Sequence, residues 1–562
     1  MTRAGLILRA AAVVLAPIHA LADAWLRVNQ VGYLPDDSKV AILSSEHPLA
    51  GPFRVGTFTA DIGSDTGAWG PFRHNYRLDF SRLRTPGRYV VEFERLRSPE
   101  FRIGADTYND CAARLMDFVR LQRCGANPVT GRDCHQQDAI DVDSRERVDL
   151  TGGWHDAADR IKHMLTTSYC VAALFLAGET AEARYGADLL IKIHPRPNTI
   201  YLQVGDDRDH LPPEKLWHDD QSDYGWGPGG PRAAWPATGR PQGSATLPPA
   251  RASDAGPTGV GPQRYQNESS GLANLAGRTA AALALAGDVE RAASAYRLAR
   301  RLPGCAMSAP VRAPYYYRES DYFDDLEWGA IELYIATRNA DYLRQAGDYA
   351  ARAGESAWMG RGRHGHYEFF PYVNLAHWRL HAHADESTRG ALAGYYRAGL
   401  ERVRERALAN AYRLGTPLVW CSTNDVIAFA TQALLYERMS GDPRFRELAT
   451  EARDWIFGRN PWGVSFVVGV PVAGDAVRRP HHLFWKLEGK LPVGGLVDGP
   501  VYRDINEGLK FTPWGADRLA RFQSDVGVYH DVFEDFSTNE PILDGTVALR
   551  LLLALGTDSD RK

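Results

Sequence analysis

Three features are scarce in this sequence: cysteine, net charge and long apolar runs. Six cysteines in 562 residues are too few for a scaffold built on disulfide bonds. The formal net charge of -4 provides no basic surface for nucleic acid. Beyond the N-terminus, no segment without charges is long enough to span a bilayer. These absences favour an ordinary globular protein that binds neither nucleic acid nor membrane.

The N-terminus contains the one marked apolar run. A basic stretch ending at Arg9 precedes the apolar segment Ala10–Ile18, and the small residues Ala20 and Ala22 follow it. A basic start, a short apolar core and a small-x-small site are typical of a secretory signal. We therefore expect residues 1–22 to be a signal peptide and the mature protein to be secreted or periplasmic.

Two kinds of patterning divide the rest of the chain. Between residues 23 and 105, short runs with period-two alternation predict an immunoglobulin-like β-sandwich. From residue 106 to residue 562, apolar residues recur at helical spacing. The main predicted helices are Ala112–Arg123, Thr167–Ala183, Leu272–Ala286, Tyr322–Thr337, Leu392–Leu414, Asp425–Met439, Arg444–Phe457 and Ile542–Ala554. Many helices joined by long loops fit an all-α toroid of helical hairpins, with a cleft formed by the loops at one end.

Carboxylates at two distant places in the chain indicate a site. Asp156 and Asp159 follow a Gly-Gly turn that a helix interior would not keep, and Glu540 precedes a Pro and an apolar helical run. Hydrolysis of a glycosidic bond needs such a set, because one acid protonates the leaving oxygen while a carboxylate activates water. Each acid also has an ordinary alternative: the aspartates could make turn or N-cap contacts, and Glu540 could be solvated.

The segment 203–266 is long, irregular and rich in Gly, Pro and Trp. Loops of this length are usually functional or disordered. Its aromatic residues, Trp217, Trp226 and Trp235, favour an ordered wall that closes one end of the cleft, with a flexible insertion as the alternative. Such a wall would favour short oligosaccharides and release of small products from a chain end.

Several blocks, in order along the chain, resemble one known family. Residues 152–159 read Gly-Gly-Trp-His-Asp-Ala-Ala-Asp, similar to the Gly-Gly-Trp-x-Asp-Ala-Gly-Asp block of glycoside hydrolase family 9, the inverting cellulases. Further resemblances to that family lie at Phe457–Pro461, Arg479–His482 and Thr538–Glu540. Val28–Pro35 resembles the opening strand of the immunoglobulin-like module found in one branch of the family. The resemblance implies an (α/α)6 barrel that hydrolyses β-1,4-linked glucans or their oligosaccharides.

The resemblance also assigns roles to residues. Asp159 matches the general base, Asp156 its partner in holding the attacking water, and Glu540 the general acid. An inverting site needs its acid and base about 6.5 to 9.5 Å apart, and we expect Glu540 to be the protonated member. The residues expected to bind substrate are His481, His482, Trp154 and Trp226.

Two positions depart from the family pattern. Ala158 stands where the family block has Gly, which adds a methyl where glycine would allow close backbone approach and positive φ. Leu483 follows the His-His pair where the family often has Arg. These departures leave the sugar open, and an exo-acting glycosidase on gluco- or glucosamine oligosaccharides is the alternative.

Four residues near the catalytic loop form a candidate zinc site. Cys124, Cys134, His135 and His155 offer two thiolates and two imidazoles, which is the chemistry of tetrahedral zinc. The resemblance strengthens this hypothesis, because the branch with the immunoglobulin-like module has a structural zinc with matching ligands. A Cys124–Cys134 disulfide is the competing interpretation.

A second metal is predicted before one of the helices. Ser320, Asp321, Asp324 and Asp325 offer hard oxygen ligands at short spacing. They resemble the calcium-binding segment of the family, and a helix-capping cluster is the alternative.

Two other classes of protein are alternatives to a hydrolase. A toroid polysaccharide lyase would rely on Tyr, His and Asn, and a non-catalytic sugar-binding protein could dispense with Asp159 or Glu540. The chain keeps both acids, so we expect a hydrolase. No organic cofactor is expected, and we expect the protein to be a monomer.

Overall fold

The computed structural model describes residues 23–206, 209, 230–237, 269–306, 319–354, 375–509 and 515–557. The predicted signal peptide lies outside these residues, as do Trp217 and Trp226. Within the described ranges, no helix combines the length and the apolar character needed to cross a membrane.

Short strands build the first part of the chain. They are β1 Ala24–Arg27, β2 Gly32–Tyr33, β3 Val40–Ser45, β4 Pro52–Val55, β5 Phe58–Asp61, β6 His74–Asp79, β7 Gly87–Tyr89, β8 Val91–Phe93, β9 Leu96–Arg97 and β10 Phe101–Ile103. They form three sheets, with the orders β1-β3-β6, β2-β10-β7 and β5-β4-β8-β9. Their inward faces enclose a separate apolar core. The predicted immunoglobulin-like β-sandwich is confirmed.

Strand β3 belongs to two cores at once, and all of its residues are buried. Ala41 and Leu43 face the interior of the sandwich, whereas Val40 and Ile42 pack into the core of the helical domain. Alternate residues of a strand point to opposite faces, so a strand covered on both sides reads as a continuous apolar run. The module is therefore packed against the helical domain along one sheet.

Buried polar contacts reinforce this junction. Asn29 on the module donates to Asp454 of the helical domain at 2.8 Å. Arg77 makes two hydrogen bonds to the Glu451 carboxylate, at 2.9 and 2.6 Å. A hydrogen bond of a buried charged group is worth more than a neutral surface contact. These bonds fix the module in one orientation.

Helices build the second part of the chain. They are α1 Asn109–Leu121, α2 Met164–Leu176, α3 Thr180–Ile193, α4 Ala273–Ala286, α5 Val289–Arg301, α6 Phe323–Thr337, α7 Ala340–Ala353, α8 Leu375–His381, α9 Glu386–Leu408, α10 Ser422–Ser440, α11 Arg446–Ile456, α12 Leu483–Glu488, α13 Arg503–Gly508, α14 Phe536–Asn539 and α15 Leu543–Thr557.

Six of these helices close into an inner ring. In order around the ring they are α2, α4, α6, α8, α10 and α15, and α15 packs back on α2. An outer helix packs on each part of the ring: α1, α3, α5, α7, α9 and α11. The predicted (α/α)6 barrel is confirmed.

The sequences of the two layers differ as their positions require. The inner helix α2 is apolar on nearly all sides and almost wholly buried, whereas the outer helix α5 buries a single face formed mainly by alanines, Tyr296 and Leu298. Close packing between α4 and α6 depends on Gly329, because a Cβ at this position would lie 2.9 Å from the carbonyl oxygen of Gly277. Small residues thus bring the inner helices close together.

Short strands between the helices hold the loops in place. They are β11 Ile140–Asp141, β12 Lys162–His163, β13 Tyr201–Val204, β14 Ala233–Pro236, β15 Leu496–Val497 and β16 Pro541–Ile542. The first four form one sheet in the order β11-β14-β13-β12, and β15 pairs with β16. The helical periodicity did not predict these strands, and residues of the site lie directly beside them.

Candidate active site and candidate metal centre

A tight loop before β12 carries two of the predicted acids. It begins at Gly152 and Gly153, which have φ of +88° and +72°, a conformation that glycine adopts at little cost. A Cβ at Gly153 would also lie 2.2 Å from a methyl of Leu189. This loop, residues 152–163, is called the catalytic loop below.

The catalytic loop meets Glu540 directly. The backbone N–H of Ala158 donates to Oε1 of Glu540 at 2.9 Å. Glu540 ends the short helix α14 in an extended conformation and is almost fully buried. Ala158 is not among the residues with positive φ, so the chain needs no glycine there for its backbone conformation. The structure therefore brings the predicted general acid beside the loop of the other two acids.

The two aspartates of the loop differ in environment. Asp156 is buried and accepts a hydrogen bond of 2.6 Å from the Thr166 hydroxyl, on the first turn of α2. Asp159 is half-buried, and its Oδ1 accepts from the N–H of Ile161 at 2.7 Å. Asp159 is therefore the more accessible carboxylate, while Asp156 is fixed in the wall of the site.

A fourth acid, Asp498, lies opposite Glu540. In the β15–β16 ladder, Val497 pairs with Pro541, and the next N–H, that of Asp498, donates to the carbonyl of Glu540 at 3.0 Å. Burial first, and then the neighbouring Glu540 carboxyl, raises the pKa of Asp498 well above its usual range. No motif pointed to Asp498, since an isolated acid two residues before Pro500 carries no signal in the sequence.

The two histidines predicted to bind sugar lie in different places. His481 is half-buried, and its ring stacks on Phe533 with centroids 4.7 Å apart. Its Nδ1 donates to the Phe533 carbonyl at 2.5 Å, so that Nε2 is the acceptor of the neutral ring. Burial lowers the pKa of His481, although Asp159 lies close enough to oppose this shift.

His482 is buried behind the catalytic loop rather than in the cleft, which corrects the expectation of a sugar contact. Its Nε2 donates to Oε1 of Gln122 at 3.1 Å, and the Gln122 amide donates to the carbonyl of Ala157 at 2.6 Å. Burial lowers the pKa of His482 to about 3, so the ring is neutral. His482 and Gln122 therefore support the backbone of the catalytic loop.

Trp154 is also an interior residue. Its ring is fully buried, and its Nε1 donates to Glu182 at 2.9 Å. This placement corrects the expectation that Trp154 stacks on a sugar. Trp235, in the predicted wall of the cleft, lies on β14 and is buried with its Nε1 bonded to the carbonyl of Gly205.

Other aromatic rings do border the site. Trp420, half-buried, packs on Phe536 with ring centroids 5.8 Å apart, and it contacts the cluster formed by Ala157, Cys421 and Ile542. Phe536 also contacts the ring of His481, and Trp485 stacks on Phe533, so the aromatic rings form one continuous row. Partly exposed aromatic faces beside carboxylates suit the apolar faces of sugar rings. Sequence reasoning missed these residues because Trp and Phe without a motif are as common in cores.

The four predicted zinc ligands come together. Within the described residues, the side chains of Cys124, Cys134, His135 and His155 form the one buried group with ligand atoms mutually within 4.8 Å. His155 Nε2 lies 3.2 Å from His135 Nδ1, and Cys124 Sγ lies 3.7 Å from His135 Nδ1. Tetrahedral zinc with ordinary bond lengths needs about 3.3 Å between two nitrogens and about 3.6 Å between nitrogen and sulfur. The observed separations fit this geometry.

The protonation states in the group also suit a metal. Burial first, and then the charge of Arg232, lowers the pKa of His135 well below its usual range, so its ring is neutral. Burial alone would raise the pKa of the Cys124 thiol, but Cys134 and the charge of Lys162 bring it to about 7. Both cysteines are free rather than joined in a disulfide. The group is a candidate metal centre.

The predicted calcium ligands are arranged differently. Asp321 accepts hydrogen bonds from the N–H groups of Tyr322 and Phe323, at the start of α6, and Asp325 pairs with the buried Arg278. Ser320 is exposed and Asp324 is buried. Asp321 thus bonds to the backbone at the start of the helix while Asp325 bonds to a side chain, and a calcium ion stays a prediction.

Acids from distant parts of the chain meet at one loop of a closed helical ring, beside a row of aromatic rings. This combination fits the class of glycoside hydrolases. A sequence model of Glycosyl hydrolase family 9 matches residues 108–553, and one of the cellulase N-terminal Ig-like domain matches residues 22–98. The chain belongs to glycosyl hydrolase family 9.

Individual relatives share moderate identity with the chain. Endoglucanase 14 of Arabidopsis thaliana is 24% identical over 434 residues, which cover 67% of this chain and 78% of the relative. Endoglucanase A of Bacillus pumilus is 26% identical over 490 residues, covering 76% of this chain and 66% of the relative.

Solved structures share the whole fold. A metagenome-derived glycoside hydrolase family 9 endoglucanase superposes with a TM-score of 0.71 at 22% identity, covering 95% of this chain and 99% of its own. A zinc-binding triple mutant of the family 9 endoglucanase J30 gives a TM-score of 0.71 at 22% identity, covering 94% and 100%. At such identities the likeness supports the fold alone.

Proposed function

We propose that this glycoside hydrolase cleaves β-1,4-linked glucans or their oligosaccharides with inversion. Glu540 acts as the general acid, and Asp159, assisted by Asp156, activates the attacking water. The hydrogen bond from Ala158 to Glu540 carries this assignment, because it brings the acid beside the loop of the two aspartates. The relatives named endoglucanases support the substrate class.

In the proposed reaction, Glu540 gives one proton and Asp159 takes one. Glu540 gives its proton to the glycosidic oxygen as the bond to the anomeric carbon breaks, and Asp159 takes a proton from the water that attacks the opposite face. The Thr166 hydroxyl holds Asp156 in one rotamer, so that its second oxygen can orient the water. Afterwards, solvent reprotonates Glu540 and accepts the proton from Asp159.

Aromatic and imidazole groups provide the binding surface for the sugar. Trp420 and Phe536 offer a stacking face on one side of Glu540, and His481 with Phe533 lies on the side of Asp159. The Nε2 atom of His481 can accept a hydrogen bond from a sugar hydroxyl, because its Nδ1 is engaged with a carbonyl. Trp226 is proposed to add to this surface from the segment that lies outside the described residues.

The buried cysteine and histidine group is proposed to hold a structural zinc ion. Two thiolates and two neutral imidazoles saturate tetrahedral zinc and leave no position for water or substrate. When bound, the metal would crosslink the loop that carries Cys134 to the catalytic loop, which contributes His155. The zinc-binding mutant among the structural neighbours is consistent with a zinc site in this fold.

Two further properties rest on the sequence. The pattern of residues 1–22 supports export to the periplasm or the exterior. We also propose that the enzyme acts as a monomer, because all of the residues assigned to the reaction come from one chain.

The function is tested by the products of hydrolysis. Purified protein is incubated with cello-oligosaccharides, soluble β-glucans and glucosamine oligomers, and proton NMR follows the first-formed anomer. We expect cleavage of β-1,4-glucosidic bonds and initial release of the α-anomer. Release of the β-anomer would contradict inversion, and a product with ultraviolet absorbance of an unsaturated uronate would indicate a lyase. A rapid fall in glucan viscosity would distinguish internal cleavage from the exo-acting alternative.

A further inference from the structure

Glu540 faces a second buried carboxyl that the proposed reaction does not use. Val497 pairs with Pro541 in the antiparallel ladder of β15 and β16, and the bond from the Asp498 N–H to the Glu540 carbonyl extends that ladder by one pair. Residues directly opposite each other on antiparallel strands project to the same face, with Cβ atoms about 5 Å apart. The carboxyl groups of Asp498 and Glu540 therefore leave the ladder side by side.

Both oxygens of Asp498 are engaged by donors. The indole Nε1 of Trp420 donates to Oδ2 at 3.1 Å, and the thiol of Cys421 donates to Oδ1 at 3.1 Å. An indole N–H can only donate, so Oδ2 must remain an acceptor. The Cys421 thiol occupies one of the two acceptor positions of Oδ1 and would have to give up this bond to a proton placed there. The contacts of Asp498 thus favour its charged form over its protonated form.

Burial and neighbouring acidic groups disfavour a second negative charge on the pair. Burial first, and then the Asp498 carboxyl, raises the pKa of Cys421 well above its usual range, so the thiol stays protonated and remains a donor. Asp544, a further acid, lies near both Asp498 and Cys421. Two adjacent buried carboxyls cannot both ionise readily, so the raised pKa of Asp498 is a property of the pair, which keeps one proton at a pH where isolated carboxyls have lost theirs. The donors on both oxygens of Asp498 favour the location of this proton on Glu540.

We propose that Asp498 is a positioning residue for the general acid: held as an anion by Trp420 and Cys421, it keeps the proton on Glu540. The carboxylate of Asp498 does not touch the substrate in this arrangement. It acts by repelling the ionised form of Glu540, so that Glu540 still carries the proton that the leaving oxygen takes. The inference rests on the proposed function of Glu540 and extends it to the origin of its protonation.

The test is the pH profile of kcat/KM on a cello-oligosaccharide. The basic limb of the profile reports loss of the proton from the general acid. We expect Asp498→Asn to move this limb to lower pH by about one unit or more, because the neighbouring charge is gone. Activity should then fall about tenfold on the alkaline side and return at lower pH. A basic limb at the wild-type position would overturn the proposal.

Two further variants provide a second test of the role of Asp498 and a control. Cys421→Ala leaves the carboxylate but removes one of its donors, so that Asp498 competes better for the proton and the limb moves in the same direction by a smaller amount. Asp531→Asn is the matched control. Asp531 is as buried as Asp498, but its carboxylate accepts from the backbone N–H groups of Arg478 and Arg479. This variant should lower the melting temperature without moving the limb. If neither Asp498→Asn nor Cys421→Ala moves the limb, Asp498 has no such role.

The Glu540→Gln variant separates failure of this inference from failure of the proposed function. If Glu540 is the general acid, its variant loses the basic limb. An unchanged profile in Glu540→Gln would remove Glu540 from the mechanism and the inference with it. A lost limb in Glu540→Gln beside an unmoved limb in Asp498→Asn would overturn the role of Asp498 alone.

Discussion

The N–H of Ala158 reaches Oε1 of Glu540 across a separation of 382 residues in the sequence. Ala158 lies between Asp156 and Asp159, so this one hydrogen bond sets the position of Glu540 relative to both aspartates. The bond uses the backbone of the catalytic loop, and a change of the side chain at position 158 leaves the donor in place.

The methyl group of Ala158 should therefore be tolerated by the reaction. Because the residue does not need positive φ, Ala158→Gly gains no backbone freedom that the folded state uses and loosens the unfolded chain. We expect the free energy of unfolding to fall by about 0.5 to 1 kcal/mol, with kcat changed less than about twofold. Thermal melts and steady-state kinetics measure both effects. A large rise in kcat would show that the methyl displaces the catalytic loop.

The proposed acid and base should each be essential for turnover. Glu540→Gln and Asp159→Asn are expected to lower kcat by about 10² to 10⁴-fold, because each removes a proton transfer in the transition state. Their melting temperatures should stay close to that of the wild type. Asp149→Asn, at an exposed acid near the same loop, serves as the control and should keep full activity. Wild-type kinetics in either catalytic variant would exclude that residue.

Two tryptophans should separate binding from stability. Trp420→Ala removes a partly exposed ring beside Glu540 and a donor to Asp498, so we expect a higher KM and a lower kcat. Trp154→Phe leaves a buried indole bond of Glu182 unmade, which costs about 1 to 3 kcal/mol of stability. Its KM should not change. A raised KM in Trp154→Phe would place that ring in the cleft after all.

The buried metal group predicts one zinc ion per chain. Cys134→Ser should lose the bound zinc and melt at a lower temperature, because metal binding is linked to folding. Elemental analysis and thermal melts before and after chelation measure this. Cys305→Ser is the control, since its buried Sγ bonds only to the carbonyl of Asp321 among the contacts described for it. Equal zinc content in Cys134→Ser and the wild type would rule out this ligand.

The junction with the β-sandwich predicts a pH-dependent loss of stability. Burial alone would raise the pKa of Glu451, but Arg459 and Arg77 hold it below its usual value. A lowered pKa stabilises the fold above the usual value near 4.3, and this contribution is lost as the pH falls through the lowered value. Arg77→Ala should therefore destabilise most at pH 7, by up to about 3 kcal/mol, and less towards pH 3.

Denaturant unfolding at several pH values measures this dependence. Arg54→Ala is the matched control, because Arg54 pairs with Glu92 on the sandwich surface and is mostly exposed. Its loss should be small at every pH, since exposed ion pairs contribute little. A loss for Arg77→Ala that stays equal from pH 7 to pH 3 would show that the Glu451 charge is not its cause.

Local patterns predicted the helices where burial is one-sided or complete. The predicted Tyr322–Thr337 closely matches α6, and Asp425–Met439 lies within α10. The predicted helix Thr167–Ala183, in contrast, runs across two helices, because Gly178 at φ +82° turns the chain between α2 and α3. Outer helices such as α7 were not predicted, since alanines form their buried face and give a weak apolar signal.

The site was predictable where it follows a local motif, and only there. Residues 152–159 and Glu540 belong to recognisable sequence blocks, and the four metal ligands lie between residues 124 and 155. Asp498, Gln122 and Trp420 gain their positions from contacts between distant segments. Such contacts leave no periodicity or spacing in the sequence, because they depend on how the ring of helices closes.

Closure of the helical ring also determines when the site forms during synthesis of the chain. The helix α15 completes the ring by packing on α2, and only the short strand β16 separates Glu540 from α15. During synthesis, the catalytic loop leaves the ribosome hundreds of residues before the acid it works with. If Glu540 is the general acid, as proposed, the nascent chain cannot hydrolyse a glycosidic bond until α15 has docked. On the proposed mechanism, enzyme activity reports completed folding, and a chain interrupted before α15 is expected to be inactive rather than partly active.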